Sequence, residues 1–125
     1  MLKIKSFLFN PIMENTYLLY DESHEGVVID PGNVSEKEDE TLSGFIGKEN
    51  ITIKYVLNTH PHVDHTYGND FCKRHFHAEL LMSEAGLSVY RYAPHYCVAF
   101  GLDAPDFPEA DRFVSEGDEI VFGHQ

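Results

Sequence analysis

Cysteine is scarce: Cys72 and Cys97 are the only two in 125 residues. Two thiols cannot build a disulfide framework, so both read as free and the core must hold the fold. Positive charge is short as well. Nine Lys+Arg stand against 21 Asp+Glu, a formal net charge of −12. So acidic a chain lacks the basic face that nucleic acid or an anionic membrane surface needs. No apolar run nears the roughly 20 residues of a membrane span. Lys3 and Lys5 precede only a short apolar stretch, interrupted at Asn10-Pro11, which is too little for a signal core. A cytoplasmic chain is the expectation. Repeats, low-complexity tracts and linkers are missing too, which leaves a single unit. Against these absences stand 42% hydrophobic residues and 13% aromatics, enough to bury a core, and eight histidines. The histidines are the informative excess.

Residues 2–9 alternate in polarity and predict a strand, and the apolar runs 15–20 and 26–30 predict two more. Asp30-Pro31-Gly32-Asn33 stops the third abruptly. Ser35, followed three positions later by Glu38, has the form of a capping box, and Leu42, Phe45 and Ile46 follow at helical spacing. That helix is expected to end between residues 47 and 50. Residues 51–57 are apolar and β-branched except at Thr52 and Lys54, in the style of a buried strand. A helix over 66–76, a short strand over 79–82 and a helix over 85–93 come next. Residues 112–115 and 119–122, flanking Glu116-Gly117-Asp118, suggest a hairpin. Strand, helix, strand, helix, strand in the middle indicates an α/β unit.

Directly after the buried strand comes Asn58-Thr59-His60-Pro61-His62-Val63-Asp64-His65. Four residues of metal-ligating type fall within six positions at the carboxyl end of a strand, where α/β sheets place their sites. Pro61 restrains His60 to extended backbone, which turns His60 and His62 to one side, so their imidazoles can converge on one ion. Asp64 and His65 follow a turn toward the next helix and can address a second ion nearby. Imidazole nitrogen with carboxylate oxygen suits zinc, and also iron or manganese. His-x-His-x-Asp-His should arise by chance about 0.002 times in a chain of this composition, which argues against a merely solvated histidine-rich turn.

Thr59-His60-Pro61-His62-Val63-Asp64-His65, followed by Gly68-Asn69, resembles the first metal-binding signature of the metallo-β-lactamase-fold hydrolases, and most closely their glyoxalase II-like (hydroxyacylglutathione hydrolase-like) branch. Asn15-Thr16-Tyr17-Leu18-Leu19, then Val27-Val28-Ile29-Asp30-Pro31-Gly32, then Glu116-Gly117-Asp118-Glu119-Ile120 extend the likeness over essentially the whole chain. The resemblance implies an α/β fold: the amino-terminal half of an αββα sandwich, a mixed sheet with flanking helices. It implies that His60 and His62 bind one metal and Asp64 and His65 a second, with Asp64 placed at the catalytic centre. Asp30 would orient a ligand histidine by accepting its ring N–H, and Gly32 would let the loop turn tightly beside the site. Two zinc ions per complete site are implied, with iron or manganese as substitutes. The implied activity is hydrolysis of a small thioester or ester, a metal-activated water attacking the acyl carbonyl. A lactonase, a phosphodiesterase or a mono-iron sulfur dioxygenase of the same superfamily is the alternative. So is a non-catalytic metal-binding or interaction module.

The family completes its site with a later His-x-Pro-Gly-His segment, a bridging aspartate and a final histidine. None of these occurs before Gln125, so residues 1–125 read as one incomplete domain. An incomplete sandwich leaves apolar sheet surface exposed, and self-association through that face is expected. Other clusters carry less weight. Cys72, His75 and His77 could suggest a structural zinc site, but no second Cys/His pair with fixed spacing accompanies them. His95, beside Tyr90, Tyr92 and Tyr96, sits where a substrate pocket could form, although aromatic packing is the default for the tyrosines.

Overall fold

The computed structural model describes residues 1–11, 13–59, 62–99 and 106–125. Strands β1 (Lys3–Phe9) and β2 (Glu14–Tyr20) pair antiparallel, with Phe7 opposite Thr16 and Phe9 opposite Glu14. Because side chains alternate across a strand, this register puts Phe7, Phe9, Glu14, Thr16 and Leu18 on one face and Ile4, Leu8 and Tyr17 on the other. The first face is buried. On the second, Ile4, Leu8 and Tyr17 are exposed. Lys5 also lies on the core side, but at its edge, with Nζ 5.6 Å from the Phe7 ring and 5.5 Å from the Phe45 ring.

β3 (Glu25–Ile29) pairs antiparallel with β2. From there the sheet turns parallel: β4 (Thr52–Leu57) lies beside β3, then β5 (Glu79–Met82), then the short β6 (Arg112–Phe113), giving the order β1-β2-β3-β4-β5-β6. Parallel neighbours require crossovers, supplied by α1 (Glu36–Lys48) between β3 and β4 and α2 (Asn69–Phe76) between β4 and β5. Leu42 and Ile46 of α1 and Cys72 of α2 join Phe7, Leu18, Val28, Val56 and Leu80 in one core on the helix-covered face. The mixed sheet with flanking helices is the architecture the sequence implies.

At α1 the local signals match the structure. Ser35 is the N-cap, and its hydroxyl accepts from Glu38 N–H at 3.2 Å. Glu38 does not close the box on Ser35, however. Its carboxylate accepts from Val34 N–H at 2.9 Å and from Asn10 N–H at 2.8 Å, so it fastens the end of β1 to the helix start. Two expectations need correction. The helix predicted over 85–93 is a 3₁₀ turn (Glu84–Gly86) and two short helices, α3 (Leu87–Arg91) and α4 (Ala93–Ala99). Pro94 lies inside the first turn of α4, where its missing N–H costs no helical bond. The hairpin is also absent: β6 pairs with β5, and residues 119–122 form no strand. Instead the backbone donors of Gly123 and His124 are satisfied by Glu25 Oε1 and Asp21 Oδ2, both at 2.7 Å, with Phe122 buried. Acids near the β2–β3 turn thus fasten the segment just past the predicted second strand. The Ser23 hydroxyl, with the backbone N–H of His124, holds the Asp21 carboxyl well below its usual range. Among the described residues, no helix is long and apolar enough to cross a membrane.

Candidate metal centre

The parallel pair β3–β4 sends two chain segments out of the same edge of the sheet. After β3, Asp30 takes a left-handed backbone (φ 53°) while its N–H donates to Leu57 O at 2.9 Å. The side chain is thereby aimed across β4. Its Oδ1 accepts from Thr59 N–H at 2.7 Å, and its Oδ2 accepts from the Thr59 hydroxyl. After β4 the chain passes Asn58 and Thr59 and enters a 3₁₀ turn, Val63–His65, closed by His65 N–H donating to His62 O at 3.0 Å. The buried amides of Asn58 and Asn69 pair reciprocally at 3.1 and 2.8 Å, and Asn58 Nδ2 reaches His65 O at 3.3 Å. Asn10 Nδ2 donates to the backbone oxygens of Gly32 and Asp64 at 3.1 and 2.9 Å. The turn carrying Asp64 and His65 is therefore fixed from two sides, by Asn58 and by Asn10.

His65 stands between two sets of acids. Its Nδ1 lies 3.2 Å from Asp30 Oδ2 and 3.3 Å from Glu14 Oε1, both on buried side chains. Its Nε2 lies 3.4 Å from Asp64 Oδ2 on the more open side. Of the predicted ligands, the structure thus brings Asp64 and His65 together with Asp30 behind them. His62 is exposed at the start of the turn. His60, on which the expectation of a shared first ion also rests, lies outside the described residues.

Glu14 is the member that the sequence reading missed. It opens β2 on the inward side, in step with Thr16 and Leu18. A glutamate at a core-facing position was the available signal, because a buried carboxylate needs a partner. Thr16 Oγ1 sits 2.9 Å from Glu14 Oε2 and 2.9 Å from the Asp30 carbonyl oxygen, and it accepts from Gly32 N–H at 2.9 Å. Burial pushes the Glu14 carboxyl up to about 8; the Thr16 hydroxyl opposes this, and the charges of Asp30, Asp64 and Glu38 add to it.

Do these residues fit a metal ion? Glu14, Asp30 and Asp64 gather around a single imidazole, and among the described residues no lysine or arginine pairs with them. Such a deficit of positive charge calls for a cation. Two donors sharing one zinc ion at about 2.1 Å in tetrahedral geometry stand about 3.4 Å apart, which is the separation of His65 Nε2 and Asp64 Oδ2. The donor set fits. An open depression of about 380 Å³, lined by Met13, Tyr17, Thr59 and the acids around His65, gives access to it. A cavity of about 450 Å³ between α3 and residues 107–113 is larger, but its walls are mostly apolar and no pair of metal donors lines it.

The remaining histidine clusters do not assemble. Cys72 is fully buried in the core, whereas His75 and His77 are exposed; His75 stacks on Phe71 with ring centroids 5.0 Å apart. Burial also pushes the Cys72 thiol up, away from the thiolate form that a metal requires. His95 lies on exposed α4, 5.8 Å from the Tyr92 ring.

A mixed sheet with helical crossovers, carrying an acid–histidine cluster at the carboxyl ends of its parallel strands, defines an α/β metal-site domain. The family model of the metallo-beta-lactamase superfamily matches residues 9–125, and the chain belongs to that superfamily. Among curated proteins it is 30% identical over 109 residues to the hydroxyacylglutathione hydrolase GloC of Haemophilus influenzae, covering 86% of this chain and 50% of that protein. It is 39% identical over 117 residues to the hydroxyacylglutathione hydrolase of Francisella tularensis subsp. novicida, covering 94% of this chain and 37% of the relative. The chain therefore spans between about a third and a half of the curated relatives it matches. Among solved structures, TTHA1623 in a di-iron-bound form superimposes with a TM-score of 0.80 at 26% identity, over 93% of this chain and 56% of that one. The BLEG-1 B3 metallo-beta-lactamase does so with a TM-score of 0.76 at 22% identity, over 97% and 57%, a likeness of fold.

Proposed function

We propose that this chain carries the amino-terminal ligands of a metal-dependent hydrolase of the glyoxalase II type, acting on a small thioester. In this reading His60 and His62 hold one ion and Asp64 and His65 a second, with Asp30 accepting the ring N–H of His65. The observation that carries it is the orientation of His65: Nδ1 turned to buried carboxylates, Nε2 turned outward 3.4 Å from Asp64 Oδ2. A carboxylate behind a histidine fixes its tautomer and raises the basicity of the nitrogen it offers to a metal. The Thr59 N–H and hydroxyl hold Asp30 in place, and Asn58 and Asn10 hold the turn beneath. A bound ion would supply Lewis acidity, polarising the acyl carbonyl and acidifying water. Zinc suits these donors, and the di-iron neighbour supports iron equally. The substrate class rests on the hydroxyacylglutathione hydrolases at 30–39% identity.

In a protein holding the complete ligand set, His62→Ala should abolish the first ion and Asp64→Ala the second, leaving about one metal per chain by elemental analysis. Turnover of a hydroxyacylglutathione thioester should fall at least about a hundredfold in Asp64→Ala. Unchanged metal content in His62→Ala overturns the assignment.

The helix-free sheet face bears on assembly. Ile4, Leu8 and Tyr17 are exposed there, whereas β4 leaves only Tyr55 and Leu57 half-buried. Exposed apolar side chains sharing one sheet face favour association, so a polypeptide of these 125 residues should self-associate, slowed by its charge of −12. A monomer by light scattering across the micromolar range would count against this.

A further inference from the structure

Glu14 has no place in the function proposed above, yet it is one of the most costly residues in the molecule to keep. Its side chain is 1% exposed, in a sheet whose other inward positions nearby are Phe7, Phe9 and Leu18. Oε2 is accounted for by the Thr16 hydroxyl. Oε1 is buried and accepts no hydrogen bond of ordinary geometry. A buried acceptor in that state is selected against unless it serves something. What it faces is His65 Nδ1 at 3.3 Å, beside the 3.2 Å contact of the same nitrogen with Asp30 Oδ2. The position is built, not incidental. Gly32 packs so closely that a β-carbon there would fall 2.1 Å from Glu14 Oε2, and Thr16 ties Glu14, Asp30 and Gly32 into one unit spanning β2 and the β3 loop.

We propose that Glu14 is a positioning residue for the metal centre: with Asp30 it forms a two-carboxyl clamp on His65 Nδ1 that keeps the proton on that nitrogen and presents Nε2 to the ion beside Asp64. This rests on the reading of His65 as a ligand through Nε2. Asp30 alone leaves the ring held from one side, by a residue on the β3–β4 side of the site. Glu14 approaches from β2, so the pair fixes the ring's rotation as well as its tautomer. Both carboxyl oxygens lie within 3.3 Å of the same ring nitrogen, and a ring turned over would set a C–H against them.

Nitrogen-15 histidine spectra of the 125-residue chain, with and without zinc, test this. Wild type should show the His65 proton on Nδ1, and zinc should shift Nε2 while the Nδ1 proton persists. Glu14→Ala should mix the two tautomers and lower zinc affinity, read by zinc titration of the same spectra, by about 10- to 100-fold. Glu14→Gln keeps volume and an acceptor oxygen and should restore the Nδ1-protonated form, with affinity within about threefold of wild type; it also covers failure of the alanine variant to fold. If wild-type His65 shows no zinc-dependent shift at Nε2, the ligand assignment itself has failed. If the shift is present and Glu14→Ala leaves tautomer and affinity unchanged, or if zinc displaces the Nδ1 proton, the clamp is overturned while His65 remains a ligand.

Discussion

Alanine at Gly32 should destabilise the protein by about 3 kcal/mol, the upper end of what overpacking a tight site costs. The added β-carbon would meet Glu14 Oε2 at 2.1 Å, Asp64 carbonyl O at 2.7 Å and Asn10 Nδ2 at 2.8 Å. None of the three can yield cheaply. Glu14 is buried against Thr16, the Asp64 carbonyl belongs to the 3₁₀ turn, and Asn10 Nδ2 bridges that carbonyl to Gly32 O. Whichever gives way, Asp64 or the acids behind His65 move, so metal affinity should fall at least about tenfold along with stability. Gly44 is the control. It is exposed on α1 with nothing within 4 Å of an added β-carbon, and alanine there should stabilise the helix by roughly 0.5–1 kcal/mol. Urea denaturation of both variants separates the cases. A Gly32→Ala midpoint within experimental error of wild type would mean that the site relaxes more easily than its hydrogen bonds suggest.

That packing also shows how far the sequence could be read. The motif after β4 was legible because ligating residues are rare and their spacing is local: Asp64 and His65 lie on one turn, and Asp30 ends the preceding parallel strand. Strand positions β1 to β5 followed from polarity alone, because one face of each meets the same core. Glu14 was not legible as part of the site. Its role depends on β2 lying beside β3 in a register that sets Glu14 opposite Phe9 and Thr16 under the Asp30 carbonyl, and pairing between strands is not written in either strand. The capping box failed for a similar reason. Ser35 needs only its own helix, whereas Glu38 was drawn off by Asn10, 28 residues earlier. The predicted hairpin gave way to non-local partners: β6 pairs with β5, and residues 123 and 124, just past its expected second strand, are fastened to acids some hundred residues away.

A polypeptide of these 125 residues should hydrolyse a hydroxyacylglutathione thioester no faster than its own His60→Ala variant. The proposed donors are His60, His62, Asp64 and His65, two for each ion. Catalytic zinc ordinarily takes three protein ligands and leaves one position for water, so each ion falls short and binding should be weak. Asp30 and Glu14 do not make up the deficit: both face His65 Nδ1, on the far side of the ring from Asp64. An ion held by two donors also has more freedom than one held by three, and a displacement of 1 Å at a reacting centre can cost about a hundredfold in rate. Extending the chain to the length of the relatives, so that it gains further donors, should restore both tight metal binding and turnover. A second copy could lend ligands through the exposed β1–β2 face. In that case activity should rise more steeply than linearly with protein concentration and vanish on dilution. Metal-dependent turnover by the dilute, monomeric 125-residue chain would show instead that residues other than these four complete the site.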